Sequence, residues 1–282
     1  MQQNNPDIGM LITVYDAADH VASLNRSITE FAQSAPRITA EVVIVDDGST
    51  DGSGAVIAES FERSGGFARV TLLSPGRVGR AAALNIGARA ISSPIFAIHD
   101  CDDDFFPDRL ASAVNIFSSE KFDLLLQSGY AVDAKGKITR NISLSNPPSI
   151  FKAMLRIPTP HTFWVWRKDY FSHIGEYDEK LDRLLDYDIL LRTLFQSGHI
   201  SVDKNPAGNH YKYASFFAKK NYLQSQFLLM RILISRSLST RNPAIIAKSF
   251  AASLIRSIWI ILNSILRMRN VTRPKALGRA KH

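Results

Sequence analysis

Short runs of apolar, β-branched residues alternate with helical patterns through the first half of the chain. The runs predict strands at Met10–Val14, Val42–Asp46, Val70–Leu73, Ile95–His99 and Leu124–Gln127. Between them, apolar residues spaced three and four apart predict helices at Val21–Gln33, Ser53–Arg63, Arg80–Ala90 and Pro107–Phe117. This alternation favours an α/β fold with a mostly parallel, Rossmann-like sheet and helices on both faces.

Two longer helical segments follow the α/β part of the chain. They cover Ser215–Leu238 and Ala244–Met268, and the break between them places Pro243 at a helix start. We therefore expect two parts, an α/β domain over residues 1–203 and a helical C-terminal region over residues 204–282.

The charge distribution supports the same division. The chain carries a net charge of +8, but residues 204–282 hold 15 of its 34 Lys and Arg and none of its 26 Asp and Glu. The first 203 residues therefore hold 19 basic and 26 acidic residues. The first 203 residues therefore form an acidic part of the chain, and residues 204–282 form a basic tail.

The second C-terminal segment has the pattern of a basic amphipathic helix. Lys248 and Arg256 lie among polar positions that recur at close to the helical period, and Phe250, Leu254 and Trp259 belong to the apolar remainder. The two charges leave no uncharged run long enough to span a bilayer. We favour contact of this helix with an anionic membrane surface. The alternative is a helix docked on the α/β domain, or on a second copy of the chain, with its basic residues in solvent.

Composition narrows the setting of the protein. We expect no nucleic-acid partner, because the apolar face is large and the aromatic residues are not interleaved with the charges. The single cysteine, Cys101, excludes an intramolecular disulfide framework and a Cys-cluster zinc site. The first residues contain no basic patch followed by an apolar run, so we expect no secretory signal. The expected location is cytoplasmic, at the inner face of the plasma membrane.

Aspartates follow three of the predicted strands. Tyr15-Asp16 follows the first strand, residues 46–51 (DDGSTD) follow the second, and residues 100–104 (DCDDD) follow the fourth. In a parallel sheet these strand ends meet at the rim where ligands bind. A divalent cation, or donors from a nucleotide base and ribose, would relieve the repulsion between the carboxylates. The alternative is helix capping, which needs only one carboxylate per helix.

Three segments resemble motifs of one enzyme family, the inverting family 2 glycosyltransferases. In chain order they are EVVIVDDGSTDGS, GRAAALNIGARAISSPIFAIHDCDDDFFPDRL and IGEYDEKLDRLLDYDILLRTLFQSG. The resemblance runs from about Ile8 to Gly198. It implies the GT-A fold and transfer of a sugar, with inversion of configuration, from a nucleotide-diphospho-sugar. Because UDP-linked donors are common in this family, the resemblance also implies a UDP-linked donor.

The resemblance also implies a donor-binding site. Thr13 and Tyr15 match positions at the nucleobase, and Asp47 matches the aspartate that accepts a hydrogen bond from a ring nitrogen of the base. Arg80 lies near the place of a positive group at the diphosphate, although an exposed charge on a first helical turn explains it equally well. Asp100 would face the ribose or a metal ion.

The segment HDCDDDFFP matches the family's DxD element. By this match Asp102 is the main protein ligand of Mg²⁺ or Mn²⁺, with Asp100 beside it, and two carboxylates two residues apart in an extended turn can point the same way. One or two carboxylates together with substrate phosphate oxygens are typical ligands of magnesium. We expect Asp103 and Asp104 to start the helix that contains Pro107.

Asp186 matches the general base that takes the proton of an acceptor hydroxyl. The sequence departs from the family pattern at Leu185, where a glutamate usually stands, and this puts details of the acceptor or phosphate contact in doubt. Asp188 and Arg192 are four apart and are expected to form a structural pair. Upstream, the segment 161–166 (HTFWVW) fits either sugar stacking or an ordinary strand.

The whole pattern predicts a metal-dependent, inverting glycosyltransferase of polysaccharide biosynthesis with a lipid-linked or cell-surface glycan acceptor. The rival hypothesis is a non-catalytic nucleotide-sugar-binding or scaffold protein at the membrane; the presence of Asp102 and Asp186 weighs against it. A dinucleotide-dependent oxidoreductase is disfavoured because no G-x-G-x-x-G follows the first strand. A sugar-nucleotide synthase is disfavoured because no glycine-rich phosphate loop lies near the N-terminus.

Overall fold

The computed structural model describes residues 5–18, 21–34, 37–211 and 222–271. Its strands are β1 (Ile8–Val14), β2 (Ala40–Asp46), β3 (Arg69–Leu73), β4 (Ile95–Asp100), β5 (Asp104–Phe105), β6 (Leu124–Val132), β7 (Ile138–Ile142), β8 (Trp164–Arg167) and β9 (Ile200–Tyr211). Its helices are α1 (Val21–Gln33), α2 (Ser53–Ser64), α3 (Arg80–Ala90), α4 (Arg109–Ser119), α5 (Ile150–Leu155), α6 (Lys168–His173), α7 (Leu185–Phe195), α8 (Tyr222–Ser239) and α9 (Pro243–Val271).

Within the described residues, nine strands form one sheet in the order β3-β2-β1-β4-β8-β6-β9-β5, and β7 pairs with β6 off this path. The pairs β1–β2, β1–β4 and β2–β3 are parallel. The other half of the sheet is mixed, because β8 runs antiparallel to both β4 and β6 while β6 and β9 are parallel. The predicted α/β fold is therefore confirmed, with the parallel arrangement concentrated in the first half of the chain.

Alternate residues of the central strands enter two hydrophobic cores on opposite faces of the sheet. Met10 and Ile12 of β1 pack with α1 and α2 in one core, whereas Leu11 packs with α3 and α7 in the other. Both faces are therefore covered, and every one of these strand residues is fully buried. Burial on both faces explains why the strands are continuous apolar runs in the sequence.

Helix α3 lies unusually close to the sheet at Gly87. A Cβ atom at this position would lie 2.2 Å from Leu11 Cδ1 and 2.8 Å from Val45 Cγ2. Glycine therefore allows α3 to approach β1 and β2, and this approach sets the position of Arg80 at the start of the helix.

The C-terminal helices pack against the α/β part. Leu229, Ile232 and Leu233 of α8 and Ala252 of α9 are buried in a third cluster with side chains of α5 and α7. Of the predicted helix Ser215–Leu238, residues 215–221 lie outside the described residues. β9 extends to Tyr211, beyond the expected limit at residue 203, and the separation of the chain into two domains stays a prediction. No helix of the described ranges has the length and apolar content needed to cross a bilayer.

Candidate active site

The turn after β2 presents two aspartates in different roles. Asp46 Oδ1 accepts a hydrogen bond from the backbone N–H of Ser49 at 2.7 Å, so this carboxylate orders the turn, as the sequence predicts. The carboxylate of Asp47 is almost completely buried. Its Oδ1 accepts hydrogen bonds from the backbone N–H groups of Val78 at 2.7 Å and Gly79 at 2.8 Å. Asp47 thereby fixes the loop that leads into α3.

A cavity of about 450 Å³ opens over this turn. Its lining includes Thr13, Tyr15, Asp47, Arg80 and Asp102, which the sequence analysis assigns to donor and metal binding, together with Asp16, Arg77 and Cys101. The structure therefore brings these five predicted residues together at the carboxyl ends of β1, β2 and β4. Burial raises the pKa of the Cys101 thiol to about 12, so this thiol is protonated and unreactive at neutral pH.

Arg77 is a residue of this cavity that the sequence analysis missed. Its guanidinium lies 3.6 Å from the centroid of the Tyr15 ring and pairs with the carboxylate of Asp47. A half-exposed aromatic face, a stacked planar cation and a buried acceptor together suit a planar heterocycle with N–H and carbonyl groups. The local sequence SPGRVG contains only turn signals, and the position of Arg77 over Tyr15 depends on the loop that Asp47 holds.

Arg80 lies on the first turn of α3 among three carboxylates. Its Nη2 is 2.5 Å from Asp100 Oδ1, and its pKa is raised by Asp100 first and, more weakly, by Asp186 and Asp102. Burial opposes ionisation of Asp100, but the positive charge of Arg80 outweighs it, so the pKa of Asp100 is below its usual value. Arg80 lines the cavity and its side chain is also 47% exposed, so its role as the positive group at the diphosphate stays a prediction.

Asp102 lies in a different electrostatic environment from Asp100. Burial, and then the negative charge of Asp100, raise the pKa of Asp102. No group of three or more His, Cys, Asp or Glu in the described ranges is arranged to hold a metal ion. A hard cation that shares its coordination with substrate phosphates needs only one or two protein carboxylates. Asp102 and Asp100 fit this requirement, since both supply hard oxygen ligands and their mutual repulsion is what a cation would relieve.

The next two aspartates do not start a helix, contrary to the sequence-based expectation. Asp103 accepts a hydrogen bond from the backbone N–H of Tyr211 at 2.8 Å and pairs with His210 Nδ1 at 3.0 Å. Asp104 lies in β5 and accepts two hydrogen bonds from Asn209, at 2.8 and 3.0 Å. These carboxylates hold β9 beside the DxD segment, and α4 begins only at Arg109. Their long-range partners, more than 100 residues away, explain why the local sequence misleads.

A second cavity, of about 480 Å³, lies on the other side of Arg80. Arg80 and Asp100 line it together with His161, Asp186, His210, Arg140 and Arg183. Arg80 thus borders both cavities. Asp186, the predicted general base, lines the second cavity, whereas the residues predicted to bind the nucleobase line the first.

Asp186 lies in the first turn of α7, directly after two leucines with contrasting roles. Leu184 has a left-handed backbone conformation (φ 59°) that turns the chain into the helix, and Leu185 is buried in the core. Asp186 Oδ1 accepts a hydrogen bond from the N–H of Tyr187 at 2.9 Å. Burial raises the pKa of Asp186, which increases its basicity when it is ionised. The departure at Leu185 therefore supplies core packing and leaves Asp186 in the cavity.

The segment 161–166 divides between cavity and core. Trp164 and Trp166 of β8 are fully buried among apolar side chains, so the strand interpretation is confirmed for them. His161 lines the second cavity, and its Nε2 lies 2.6 Å from the hydroxyl of Tyr177. Burial lowers the pKa of His161 to about 3, so the imidazole is neutral at pH 7.

Two further arginines of the second cavity were not singled out from the sequence. Arg140 lies on β7, where it pairs with Ala131 of β6, and its guanidinium forms no ion pair with a described residue. Arg183 pairs with Asp182 at 2.8 Å, and the side chain of Asp182 is 70% exposed. β7 and the loop before α7 reach the cavity from separate parts of the chain, so no local motif signals this pair of arginines.

The chain matches the model of glycosyl transferase family 2 over residues 10–175, which is more than half of its length. Succinoglycan biosynthesis protein ExoU of Rhizobium meliloti is 34% identical over 140 residues, covering 48% of this chain and 38% of that protein. Succinoglycan biosynthesis protein ExoO of the same organism is 26% identical over 212 residues, covering 70% and 58%. The chain therefore spans less than two thirds of each relative.

Solved structures with a similar fold include proteins of S. aureus and of Pyrobaculum calidifontis. The S. aureus TarS fragment 1–349 in complex with UDP-GlcNAc superposes with a TM-score of 0.63 at 18% identity, covering 89% of this chain and 72% of that one. The mannosyltransferase PcManGT of Pyrobaculum calidifontis, in complex with GDP-Man and Mn²⁺, gives a TM-score of 0.60 at 15% identity, covering 94% and 81%. At these identities the likeness establishes the fold.

Proposed function

The chain belongs to glycosyl transferase family 2, and from this premise we propose that it transfers a sugar from a nucleotide-diphospho-sugar to a hydroxyl of a glycan acceptor. The observation that carries the proposal is the position of Arg80, which borders both the cavity of Tyr15 and Asp47 and the cavity of Asp186. A donor that lies across Arg80 would place its base in the first cavity and its sugar next to Asp186.

The first cavity would hold the nucleoside. The base would pack against the Tyr15 ring and the Arg77 guanidinium, and Asp47 would exchange its contact with Arg77 for a hydrogen bond from the edge of the base. Arg80 would lie beside the diphosphate, where its positive charge stabilises the nucleoside diphosphate as it leaves. We propose a UDP-linked donor, since TarS is described in complex with UDP-GlcNAc and uridine is the habit of the family.

Asp186 would act as the general base. Its carboxylate takes the proton of the acceptor hydroxyl as that oxygen forms a bond to the anomeric carbon, and the bond from this carbon to the diphosphate breaks with its electron pair on the departing oxygen. The proton then passes from Asp186 to water. A single displacement inverts the configuration, so an α-linked donor yields a β-linked product.

Asp102, with Asp100 beside it, would hold the Mg²⁺ or Mn²⁺ ion. When bound, this cation supplies Lewis-acid stabilisation of the negative charge on the diphosphate. Arg80 competes with the cation for Asp100, because its guanidinium lies 2.5 Å from that carboxylate. We therefore assign the leading role in metal binding to Asp102, whose raised pKa reflects burial and the nearby negative charge of Asp100.

The acceptor would enter the second cavity from the side of Arg140 and Arg183. Both arginines line this cavity together with Asp186. They suit an acceptor with an anionic group, such as the diphosphate of a lipid-linked sugar or an acidic glycan. ExoU and ExoO are named as succinoglycan biosynthesis proteins, and we propose a role in polysaccharide biosynthesis on the cytoplasmic side of the plasma membrane.

A non-catalytic nucleotide-sugar-binding protein is the alternative function. Leu185 is the departure that favours it, because the glutamate usual in the family is absent there. The position of Leu185 in the core weighs against this alternative, since the substitution leaves Asp186 in the cavity.

The proposal is tested by release of nucleoside diphosphate from a panel of nucleotide sugars, with Mg²⁺ or Mn²⁺, for the wild type and for Asp186→Asn. We expect slow hydrolysis of one donor and a loss of about 100-fold or more in the variant, as for removal of a general base. Asp182→Asn, a substitution of an exposed carboxylate at the mouth of the same cavity, is the matched control. Equal turnover by the wild type and Asp186→Asn would contradict the role of the base. Failure of the wild type to bind any nucleotide sugar would contradict the function itself.

A further inference from the structure

The two faces of α9 are reversed relative to an ordinary surface helix. The face against the protein carries mainly small residues, with Ser249 and Ala252 fully buried and Ser253 only 9% exposed, and Ile245 is its one large apolar side chain among those described as buried. The opposite face carries large apolar side chains: Phe250 is 53% exposed, Leu254 62%, Ile255 46% and Ile258 48%. A surface helix normally buries its apolar stripe and exposes its polar one. In α9 the apolar residues have no covering partner among the described residues.

Specific contacts fix α9 in this orientation. Arg256 donates hydrogen bonds to the backbone carbonyls of Met154 (3.2 Å) and Leu155 at the end of α5. The same guanidinium donates to Gln226 of α8 at 3.2 Å. Ser249 contacts the sulfur of Met154 at 3.8 Å, two turns earlier on the same face. Because these contacts hold the polar face inward, α9 cannot bury its apolar face by rolling about its own axis.

Helix α8 is fixed in a similar way and also exposes apolar side chains. Arg236 is hydrogen-bonded to Asp188 at 2.6 Å and to Asp178 at 2.7 Å, which ties α8 to α7 and to the loop before it. On its outer side Phe227 is 64% exposed and Leu238 is 51% exposed. Two helices held rigidly on the body of the protein therefore both present large apolar residues to the outside.

We propose that the outer face of α9, defined by Phe250, Leu254, Ile255 and Ile258, binds the surface of an anionic lipid bilayer. The positive charge of this region of the chain indicates which surface binds there. Residues 204–282 carry 15 basic residues and no acidic ones. Arg236 and Arg256 are engaged with the body of the protein, whereas Lys248 is exposed on α9 itself. A second copy of the same face would bring like charges together, which opposes self-association. An anionic headgroup layer offers negative charge and apolar acyl chains on one surface, and it matches both features of this helix.

The dimensions of α9 suit this arrangement. Its 29 residues correspond to about 43 Å of helix at about 1.5 Å per residue. Phe250, Leu254 and Ile258 follow one another at intervals of four, so they form a stripe along the axis that can enter the interface together. Membrane binding of this kind is independent of the transfer reaction and goes beyond the proposed function.

The experiment measures co-sedimentation of the purified full-length chain with vesicles of phosphatidylcholine alone and of phosphatidylcholine with phosphatidylglycerol. We expect binding to the anionic vesicles that weakens between about 0.1 and about 0.5 M salt, because the Debye length falls. The triple variant Phe250→Ser, Leu254→Ser, Ile258→Ser should bind at least about tenfold more weakly, since three exposed apolar side chains no longer enter the bilayer. No binding by the wild type, or equal binding by the variant, would overturn the proposal.

The matched control replaces three apolar side chains of similar exposure elsewhere, Val56→Ser, Leu72→Ser and Ile138→Ser. This control should bind like the wild type; a loss equal to that of the α9 variant would overturn the assignment to α9. Circular dichroism and thermal unfolding of both variants establish that the fold is retained, independently of enzymatic activity. Donor hydrolysis is measured separately, so a failure of the transferase proposal leaves the sedimentation result interpretable.

A second variant keeps the test independent of the stability of the serine substitutions. Phe250→Trp adds a fluorophore to the exposed face, and its difference spectrum against the wild type should shift to shorter wavelength with anionic vesicles. An unshifted spectrum would overturn insertion at this position. Loss of a dimer in the serine variant by light scattering, without vesicle binding by the wild type, would assign the face to a second copy and overturn the membrane proposal.

Discussion

Asp186 and Asp100 lie around one guanidinium, that of Arg80, but their pKa values are displaced in opposite directions. The direct ion pair with Arg80 lowers the pKa of Asp100, whereas burial raises that of Asp186. The two carboxylates are thereby suited to different tasks, since one stays ionised beside a cation and the other is a stronger base.

The raised pKa of Asp186 predicts a specific pH dependence of the reaction. A general base must be ionised, so kcat/KM should fall as the pH decreases through the pKa of Asp186, which burial raises above the ordinary aspartate value of 3.8. Below that pKa, activity should decrease about tenfold per pH unit. The measurement is nucleoside diphosphate release between pH 4.5 and pH 8, with nucleotide affinity followed at each pH. A flat profile over this range would argue against Asp186 as the base.

The sequence could predict the place of individual residues where a strand end or a helix start determines it. Thr13, Asp47 and Asp102 line the first cavity and Asp186 the second, and their roles stay predictions. Arg77 and Arg140 could not be found in this way, since their positions follow from tertiary contacts of a loop and of a strand outside the parallel half of the sheet.

At the scale of elements, the close approach of α3 to the sheet determines where Arg80 lies. We predict that Gly87→Ala destabilises the protein by about 1–3 kcal/mol, because the new Cβ would lie 2.2 Å from Leu11 Cδ1 in a packed core. Urea denaturation measures the change in the free energy of unfolding. Ala90→Ser, an exposed substitution on the same helix, should change it by less than about 0.5 kcal/mol. An unchanged stability of Gly87→Ala would show that α3 can move away from the sheet.

The helices and strands of the first half of the chain were predictable because the apolar run of a buried strand and the periodic apolar residues of an amphipathic helix are visible in the local sequence. β1, β2 and α3 agree with the sequence-based bounds to within two residues. β7 and most of β9 were not predicted, because β7 is largely exposed and β9 contains polar residues and a proline. The small-residue face of α9 also misled the sequence analysis, which assigned its serines to a polar, outer side.

At the scale of the whole molecule, the basic tail and the candidate base are connected through α7. Asp188 is fully buried and accepts hydrogen bonds from Arg192 at 2.9 Å and from Arg236 of α8 at 2.6 Å. The pair Asp188–Arg192 was expected from the sequence, whereas Arg236 joins it from 48 residues away. Because Arg256 joins α9 to Gln226 of α8, a bilayer bound by α9 would have a defined orientation relative to Asp186.

Because of this connection, replacing aspartate by asparagine in α7 should have opposite effects on the free energy of unfolding at positions 186 and 188. Asp188→Asn leaves Arg192 and Arg236 without their shared charge, so we expect a loss of about 2–4 kcal/mol in the free energy of unfolding at pH 7. Asp186→Asn should instead stabilise the fold. Its folded pKa is raised, so the ionised carboxylate costs stability, and that cost is fully present above this pKa and disappears at low pH. Urea denaturation at pH 7 and at pH 4.5 compares the two variants. A similar loss of stability in both variants would mean that the ionised carboxylate of Asp186 makes stabilising structural contacts, which would contradict its raised pKa.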